Sequence, residues 1–307
     1  YGRLITGDHA GLAEQANLQR QLIAAVTAGC ERPVVGYTLN QEYVDDDFST
    51  GLENIAYDSH RGLNSSLFVR TAKLKDYPWN GMVRLGVVGQ PQAAWNPVAG
   101  FSAAAGRLIW SAIGDPALVL FPFNASWIPN RVDFTVTGSQ GQSGGVRVPA
   151  GAFVPEPGTG ALWPVGKWTF ASAKVEYNVV ASPFLDGTEP GFADLLYPFV
   201  LAYRWGAKKG PGDKAYEPSL EAILADLRDR VVGVRPVRVD EAVKVIAPGL
   251  DVIQKTPVLE VYLRDAPGDN HQVAALAPPW STVPWHLMAL MEEAVRRGYA
   301  AFSEKEA

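Results

Sequence analysis

The 307-residue chain has little of the chemistry that most often marks a catalytic or metal centre. It contains one cysteine, Cys30, and four histidines. A single cysteine excludes an intrachain disulfide and a zinc site built from several cysteines. The histidines stand in four separate contexts without HExxH or HxH spacing: His9, His60, His271 and His286. The cysteine and the histidines therefore predict no metal site, and we expect no cofactor.

Charge is also scarce, and it is balanced. Lys and Arg number 27 against 32 Asp and Glu, and 19% of the residues are charged while 47% are hydrophobic. This composition excludes a disordered polymer, and the net charge of -5 argues against nucleic acid as the main partner. No apolar run approaches the roughly 18 residues of a spanning helix, so we expect no direct insertion into a membrane.

Two common nucleotide-binding motifs are missing as well. A phosphate-binding GxxxxGK and a GxGxxG placed between strand and helix do not occur. The acidic stretch 45–53, with Asp45, Asp46, Asp47 and Glu53, leaves two readings open. It is either a calcium loop of a type other than the EF-hand or a solvated acidic turn. A pair of carboxylates for hydrolysis is a further alternative, because the sequence selects no single pair among its acids.

Hydrophobic periodicity predicts a mixture of helices and strands. Helical spacing is found in residues 12–28, 102–113, 192–205, 219–231 and 285–307. Clustered or alternating β-branched residues predict strands at 33–39, 67–74, 82–88, 234–239 and 258–263, and in several pieces between 132 and 181. The fold class expected is α/β in the mixed α+β sense, with a β-rich middle and flanking helices.

Aromatic residues are the most informative feature that is present. The chain has nine tryptophans, and several stand beside turn-forming residues instead of inside apolar runs. A tryptophan on a loop offers a large apolar face and one N–H donor, which suits stacking on a ligand. The residues predicted to bind a ligand are Trp95, Asn96, Trp205, Trp280 and Trp285, with a hydrogen bond expected from Asn96. For Trp205 the alternative is a core position at a helix end.

Three segments of the chain resemble motifs of one known protein family and follow one another in the same order as in that family. Residues 174–203 combine a strand, an Asp186-Gly187-Thr188 turn and an acid-capped helix. Residues 82–97 resemble an opening LxxGxxxxPxxLDP motif, and 231–240 with 258–263 resemble a later strand pair. The chain between about 81 and 263 thus resembles the peptide- and nickel-type extracellular solute-binding proteins. In this sequence residues 242–256 lengthen the strand pair.

This resemblance implies a periplasmic-binding-protein-like lobe that binds a peptide, a metal chelate or a sugar in a cleft. It also implies a periplasmic or extracellular location, a membrane permease or partner subunit, and no catalysis. On this basis residues 79–307 would form the lobe and 1–78 a separate α/β segment. We expect the parent protein to continue beyond residue 307. The alternatives are a non-catalytic subunit of a larger periplasmic complex and the acid-pair hydrolase.

Overall fold

The computed structural model describes most of the chain in separate stretches. These are residues 1–6, 9, 12–29, 35–36, 41–47, 51–56, 62–76, 101, 103–120, 126–138, 145–180, 182–184, 186–210, 213, 215–247, 249–266 and 269–302. The predicted strand at 82–88 and the predicted site residues Trp95 and Asn96 lie outside these stretches. Most of the predicted strand at 33–39 does too.

Helices form where the apolar spacing predicted them, with one correction at the end of the chain. The last helix was predicted to run to residue 307 but ends at Arg296, where Arg297 caps it. The helices of the described ranges are α1 (Gly2–Thr6), α2 (Leu12–Thr27), α3 (Ser66–Thr71), α4 (Ala104–Ile113), α5 (Phe192–Trp205), α6 (Pro218–Arg230), α7 (Asn270–Ala274) and α8 (Trp285–Arg296).

The strands vary from two residues to seventeen. In chain order they are β1 (Leu52–Glu53), β2 (Lys73–Leu74), β3 (Leu118–Leu120), β4 (Trp127–Pro129), β5 (Val132–Thr137), β6 (Val146–Arg147), β7 (Phe153–Pro155), β8 (Leu162–Pro164), β9 (Phe170–Ala171), β10 (Ala173–Val179), β11 (Val231–Ala247) and β12 (Leu250–Leu263). Helices and strands are both well represented, which confirms the mixed α/β class.

One predicted strand is wrong. Residues 67–74 form helix α3 followed by the two-residue strand β2. The cause is a local cap: the Ser65 side chain accepts a hydrogen bond from the backbone N–H of Phe68, which satisfies a free donor in the first turn. Phe68 is then buried, so one apolar anchor on a capped turn outweighs the β-branched composition.

A six-stranded sheet organises the molecule, in the order β5-β10-β12-β11-β7-β8. Its neighbouring strands are antiparallel. Strand β10 has the strict alternation of a strand with one face in the core, and every second residue from Ala173 to Val179 is buried. On that face Tyr177, Leu259 and Val261 pack against Leu195 and Phe199 of α5.

The opposite face of the sheet carries charge. Glu260 lies there almost fully buried, because Lys174, Arg235 and Tyr262 close over it. Its carboxylate accepts hydrogen bonds from Lys174 Nζ at 3.1 Å, Arg235 Nε at 2.7 Å and the Tyr262 hydroxyl at 2.6 Å. Segment 145–171 covers the Tyr262 end of this face with small apolar side chains such as Val148, Ala152 and Ala171.

The β11–β12 pair extends beyond the sheet. Strand β10 pairs with β12 only between Val258 and Leu263, whereas β11 pairs with β12 as far as Leu250. Residues 240–247 and 250–256 therefore form a two-stranded ribbon, which we call the arm. The arm contains most of residues 242–256, the segment that lengthens the predicted strand pair.

Candidate functional site

Four polar side chains meet at the end of α4, next to a predicted ligand-binding residue. Asp115 follows the Gly114 cap of α4, and its carboxylate accepts hydrogen bonds from Arg70 of α3 and from Arg131, just before β5. Asn130 adds a third donor at 2.9 Å. We call Arg70, Asp115, Asn130 and Arg131 the arginine corner.

Trp280 completes this site. Its indole Nε1 donates to the backbone carbonyl of Asp115 at 2.7 Å, and its partly buried ring packs against the main core. The residues involved come from distant parts of the chain, since Trp280 and Asp115 are 165 positions apart. Segment 1–78, which the sequence analysis set apart, contributes Arg70. The domain boundary itself stays a prediction.

The backbone at Asp115 is strained. Its φ angle is 34°, in the left-handed region that residues other than glycine rarely adopt. Such strain persists only where surrounding contacts hold it, and it concentrates at binding sites and clamps. Here the contacts are the hydrogen bonds from Arg70, Arg131 and Asn130, so the turn and the arginine corner depend on each other.

The electrostatics of the corner favour a negative charge. Burial alone would raise the pKa of the Asp115 carboxyl, but hydrogen bonds from Asn130, Arg70 and Arg131 hold the pKa below its ordinary value. Asp115 is therefore ionised, and two guanidinium groups face one carboxylate. Each guanidinium has five N–H donors in a planar fork that matches a carboxylate. The corner can consequently bind an anionic group that reaches it.

Trp205, another predicted site residue, lies in the core. Its ring is 1% exposed and packs edge-on against Phe302 at 4.7 Å between centroids. Its Nε1 donates to the buried carboxylate of Glu292 in α8, which also accepts the Tyr197 hydroxyl and, at 2.8 Å, Arg204 Nη1. A ligand could stack on Trp205 only if this part of the core came apart. Trp205 therefore occupies the core position at a helix end that was given as its alternative.

Trp285, by contrast, has an open face. It begins α8 and is 43% exposed, with the Tyr197 ring at 6.2 Å and the His286 ring at 6.1 Å between centroids. Its backbone N–H donates at 2.9 Å to buried Asp194, which also accepts from the Gly191 N–H at the start of α5. Trp285 and Trp205 thus lie on the α5–α8 interface and Trp280 at the arginine corner. Their binding roles stay predictions.

Sequence reasoning missed a group of exposed aromatic side chains. Trp163, Trp168 and Phe170 lie within eight residues of one another and are 60%, 73% and 53% exposed. Trp168 has a φ of 66°, and the Arg147 guanidinium lies 4.9 Å from its ring centroid. The sequence did contain a signal for this group, since the turn-forming Gly166 lies between Trp168 and the strand that contains Trp163. We call Trp163, Trp168 and Phe170 the aromatic surface.

The acidic stretch 45–53 is partly described. Asp45, Asp46 and Asp47 are exposed, and Asp46 pairs with Lys75 Nζ at 2.5 Å. Within the described ranges, His, Cys and acidic residues nowhere gather in a group of three or more that could hold a metal ion. None of the helices in those ranges combines the length and the apolar character that a bilayer crossing requires.

The chain matches no protein-family model and no curated protein.

Proposed function

We propose that this chain is an extracytoplasmic solute-binding module that binds a small ligand with a carboxylate group, such as a peptide. The observation that carries the proposal is the arginine corner. There two guanidinium groups share a single carboxylate, Asp115, beside the indole of Trp280. Binding and release require no covalent chemistry, and the module would deliver its ligand to a membrane permease.

The corner argues against one of the three ligand classes that the sequence left open, the neutral sugars. A neutral sugar has no group that matches two planar forks of donors, whereas a carboxylate accepts paired N–H bonds from one guanidinium. Arg131 is the better placed of the two arginines, since its side chain is 33% exposed against 16% for Arg70. The nearby indole of Trp280 adds an apolar wall.

The order of elements between residues 174 and 203 supports the same proposal. Strand β10 leads into a turn at Asp186, Gly187 and Thr188, where the Thr188 N–H donates to Asp186 Oδ1 at 2.9 Å. Gly187 has a φ of 82°, as such a turn requires. Helix α5 then returns over the core face of the sheet. This is the strand, turn and helix that the resemblance implies.

The test is a thermal unfolding screen of the purified chain with dipeptides and tripeptides, nickel chelates and neutral sugars. A ligand present at 100 times its dissociation constant stabilises the folded state by about 2.7 kcal/mol. We expect a rise in melting temperature with peptides, and a smaller rise or none with peptide amides that lack the free carboxylate. A shift with sugars alone would contradict the proposal.

Matched variants locate the site. Arg131→Gln should abolish the peptide shift, and Arg131→Lys, which keeps the charge without the planar fork, should recover only part of it. Arg238→Gln is the control, because Arg238 is an exposed arginine paired with Asp240. Circular dichroism checks that each variant is folded. A peptide shift that survives in Arg131→Gln would remove the arginine corner from the proposal.

A second candidate function is a non-catalytic subunit of a larger extracytoplasmic complex. The aromatic surface favours it, because exposed tryptophans next to an arginine are typical of protein interfaces. Chemical crosslinking in the native host, followed by purification, tests it. Replacing Trp163 and Trp168 by alanine should lose the partner, whereas replacing the exposed Tyr299 should not.

A further inference from the structure

Within the parts of the chain that the structure describes, the outer edge of β12 has no neighbouring strand along the arm. Strand β10 accompanies β12 only as far as Val258, and no described strand pairs with 250–257 on that side. A bare edge presents a row of N–H and C=O groups that can bind another strand. The arm is also only two strands wide, and such ribbons are marginally stable in water without further contacts.

Apolar side chains on the arm are exposed. Val243 and Ile253 lie directly opposite each other on β11 and β12 and are 65% and 63% exposed. Val245, two residues along the same face, is exposed as well. Branched apolar residues of this kind stabilise strands when a neighbour covers them. The free edge of β12 and the exposed Ile253 on that strand therefore point to a missing strand.

We infer that this strand is the same edge of a second copy of the chain, paired antiparallel about a twofold axis at Ile253. In that register Ile253 faces Ile253, and Asp251 of each copy faces Lys255 of the other. Opposite charges directly across an antiparallel pair are favourable, whereas like charges are not. A twofold contact repeats each interaction, so two such ion pairs form.

The ends of the edge fit the same register. Pro257 cannot donate a hydrogen bond, so it ends the pairing, and in this register it faces Gly249 of the turn between β11 and β12. Seven residues of each copy, 250–256, remain to pair. The edge of β11 does not offer the same match, because a twofold axis at Val243 places Glu241 against Val245.

One intramolecular contact competes with this pairing. Lys255 Nζ lies 2.7 Å from Glu189, and both side chains are about half exposed. Exposed ion pairs of this kind contribute little to stability. Lys255 can therefore exchange Glu189 for Asp251 of the second copy at small cost.

The test is the mass of the purified chain by light scattering and sedimentation velocity over a range of concentrations. We expect a concentration-dependent dimer. Asp251→Lys and Lys255→Asp should each raise the dimer dissociation constant by about tenfold or more, because two opposite-charge pairs become two like-charge pairs. The control is Asp240→Lys, which makes the same charge change on β11, and it should leave the dimer intact.

Combining the variants makes the test specific. A 1:1 mixture of the two single variants should form a heterodimer, and the double variant D251K/K255D should dimerise again, because both arrangements restore opposite charges across the axis. Circular dichroism confirms that each variant is folded. A chain that is monomeric at every concentration, or that associates only with a different protein, overturns the inference. So does a dimer that both single variants leave unchanged.

Discussion

Asp115 shows how one residue can hold a strained turn and a charged site together. Its left-handed backbone is unfavourable for an aspartate, and its carboxylate is the acceptor shared by Arg70, Arg131 and Asn130. The backbone conformation places the carboxylate between the two arginines. Stability and the capacity to bind an anion are therefore linked at this position.

Replacing Asp115 by Asn separates charge from backbone conformation, because asparagine tolerates the left-handed region. We expect Asp115→Asn to lower the free energy of unfolding by about 1 to 3 kcal/mol, since two guanidinium groups lose a charged acceptor. Urea unfolding at pH 7 measures this loss. The pKa of Asp115 is lowered in the native protein. The stability that its charge contributes is therefore complete above the ordinary aspartate pKa and is lost as the pH falls through the native value.

The difference between the two proteins should accordingly shrink at acid pH. Asp226→Asn is a suitable control, because Asp226 is half exposed and paired within α6 to Arg230. It should change the free energy of unfolding by less than about 0.5 kcal/mol. A loss for Asp115→Asn that persists unchanged well below pH 3 would show that the charge of Asp115 is not its cause.

Only part of the candidate site could be predicted from the sequence. Trp280 was predicted because it stands beside a turn, but its partner Asp115 lies 165 residues away and no local pattern links them. For Trp205 the sequence left a core position at a helix end as the alternative, and no local pattern decided between the two. A turn next to a tryptophan shows where an element ends, but which face of the ring meets the core depends on Glu292 and Phe302, far along the chain.

At the scale of elements, α5 and α8 are joined by one buried carboxylate. Glu292 accepts the indole N–H of Trp205, the hydroxyl of Tyr197 and two contacts from Arg204, at 3.0 and 2.8 Å. Burial and the bond to Glu292 raise the pKa of Tyr197 to about 12. The interface therefore depends on a charge that has three donors and almost no contact with water.

Glu292→Gln tests this dependence. The amide has nearly the same shape, but it leaves Arg204 without a counter-charge and presents N–H groups to other donors, so we expect a loss of about 3 kcal/mol in the free energy of unfolding. The neighbouring Glu293→Gln is the matched control, because Glu293 is exposed and pairs with Arg297 one turn away. Its loss should stay below about 0.5 kcal/mol. Urea unfolding of both variants measures the contrast, and equal losses would contradict the argument.

Helices were predicted well where the apolar spacing persists over several turns, as in α2 and α5. The end of α8 could have been found, because Gly298 follows Arg297 and adopts the left-handed φ of 77° that often terminates a helix. The length of β11 and β12 could not be read in the same way. Along the arm both faces meet solvent, so the alternation that marks a half-buried strand is weak there.

At the scale of the whole molecule, the arginine corner and the arm lie at the same end of the sheet. Val132 of β5 pairs with Val179 of β10, and Asn178 pairs with Val258 of β12, just before the arm leaves the sheet. Arg131 precedes Val132, and its carbonyl accepts the N–H of Val180. A second copy paired on the arm would therefore sit at the end of the sheet that carries the proposed ligand site.

The buried charges make the stability of the whole molecule depend on pH in the acid range. Burial tends to raise the pKa of Glu260, but hydrogen bonds from Arg235, Tyr262 and Lys174 lower it below the ordinary value of 4.5. Asp115 is lowered for the same kind of reason. The unfolded chain thus binds more protons than the native protein in acid, and stability rises with pH across that range.

We therefore expect the free energy of unfolding to be nearly constant between about pH 7 and pH 5.5 and to fall below about pH 4.5, because these two carboxylates take up protons at a higher pH in the unfolded chain than in the native protein. Glu260→Gln should lose about 2 to 3 kcal/mol at pH 7 and show a weaker decline in acid. Glu176→Gln is the control, because Glu176 lies opposite Glu260 on the same face but meets Lys174 and Arg238 only at 3.9 and 3.8 Å. Urea unfolding at pH 7, 5, 4 and 3.5 distinguishes the two, and an acid decline of the same size in Glu260→Gln and the unaltered protein would assign it to other groups.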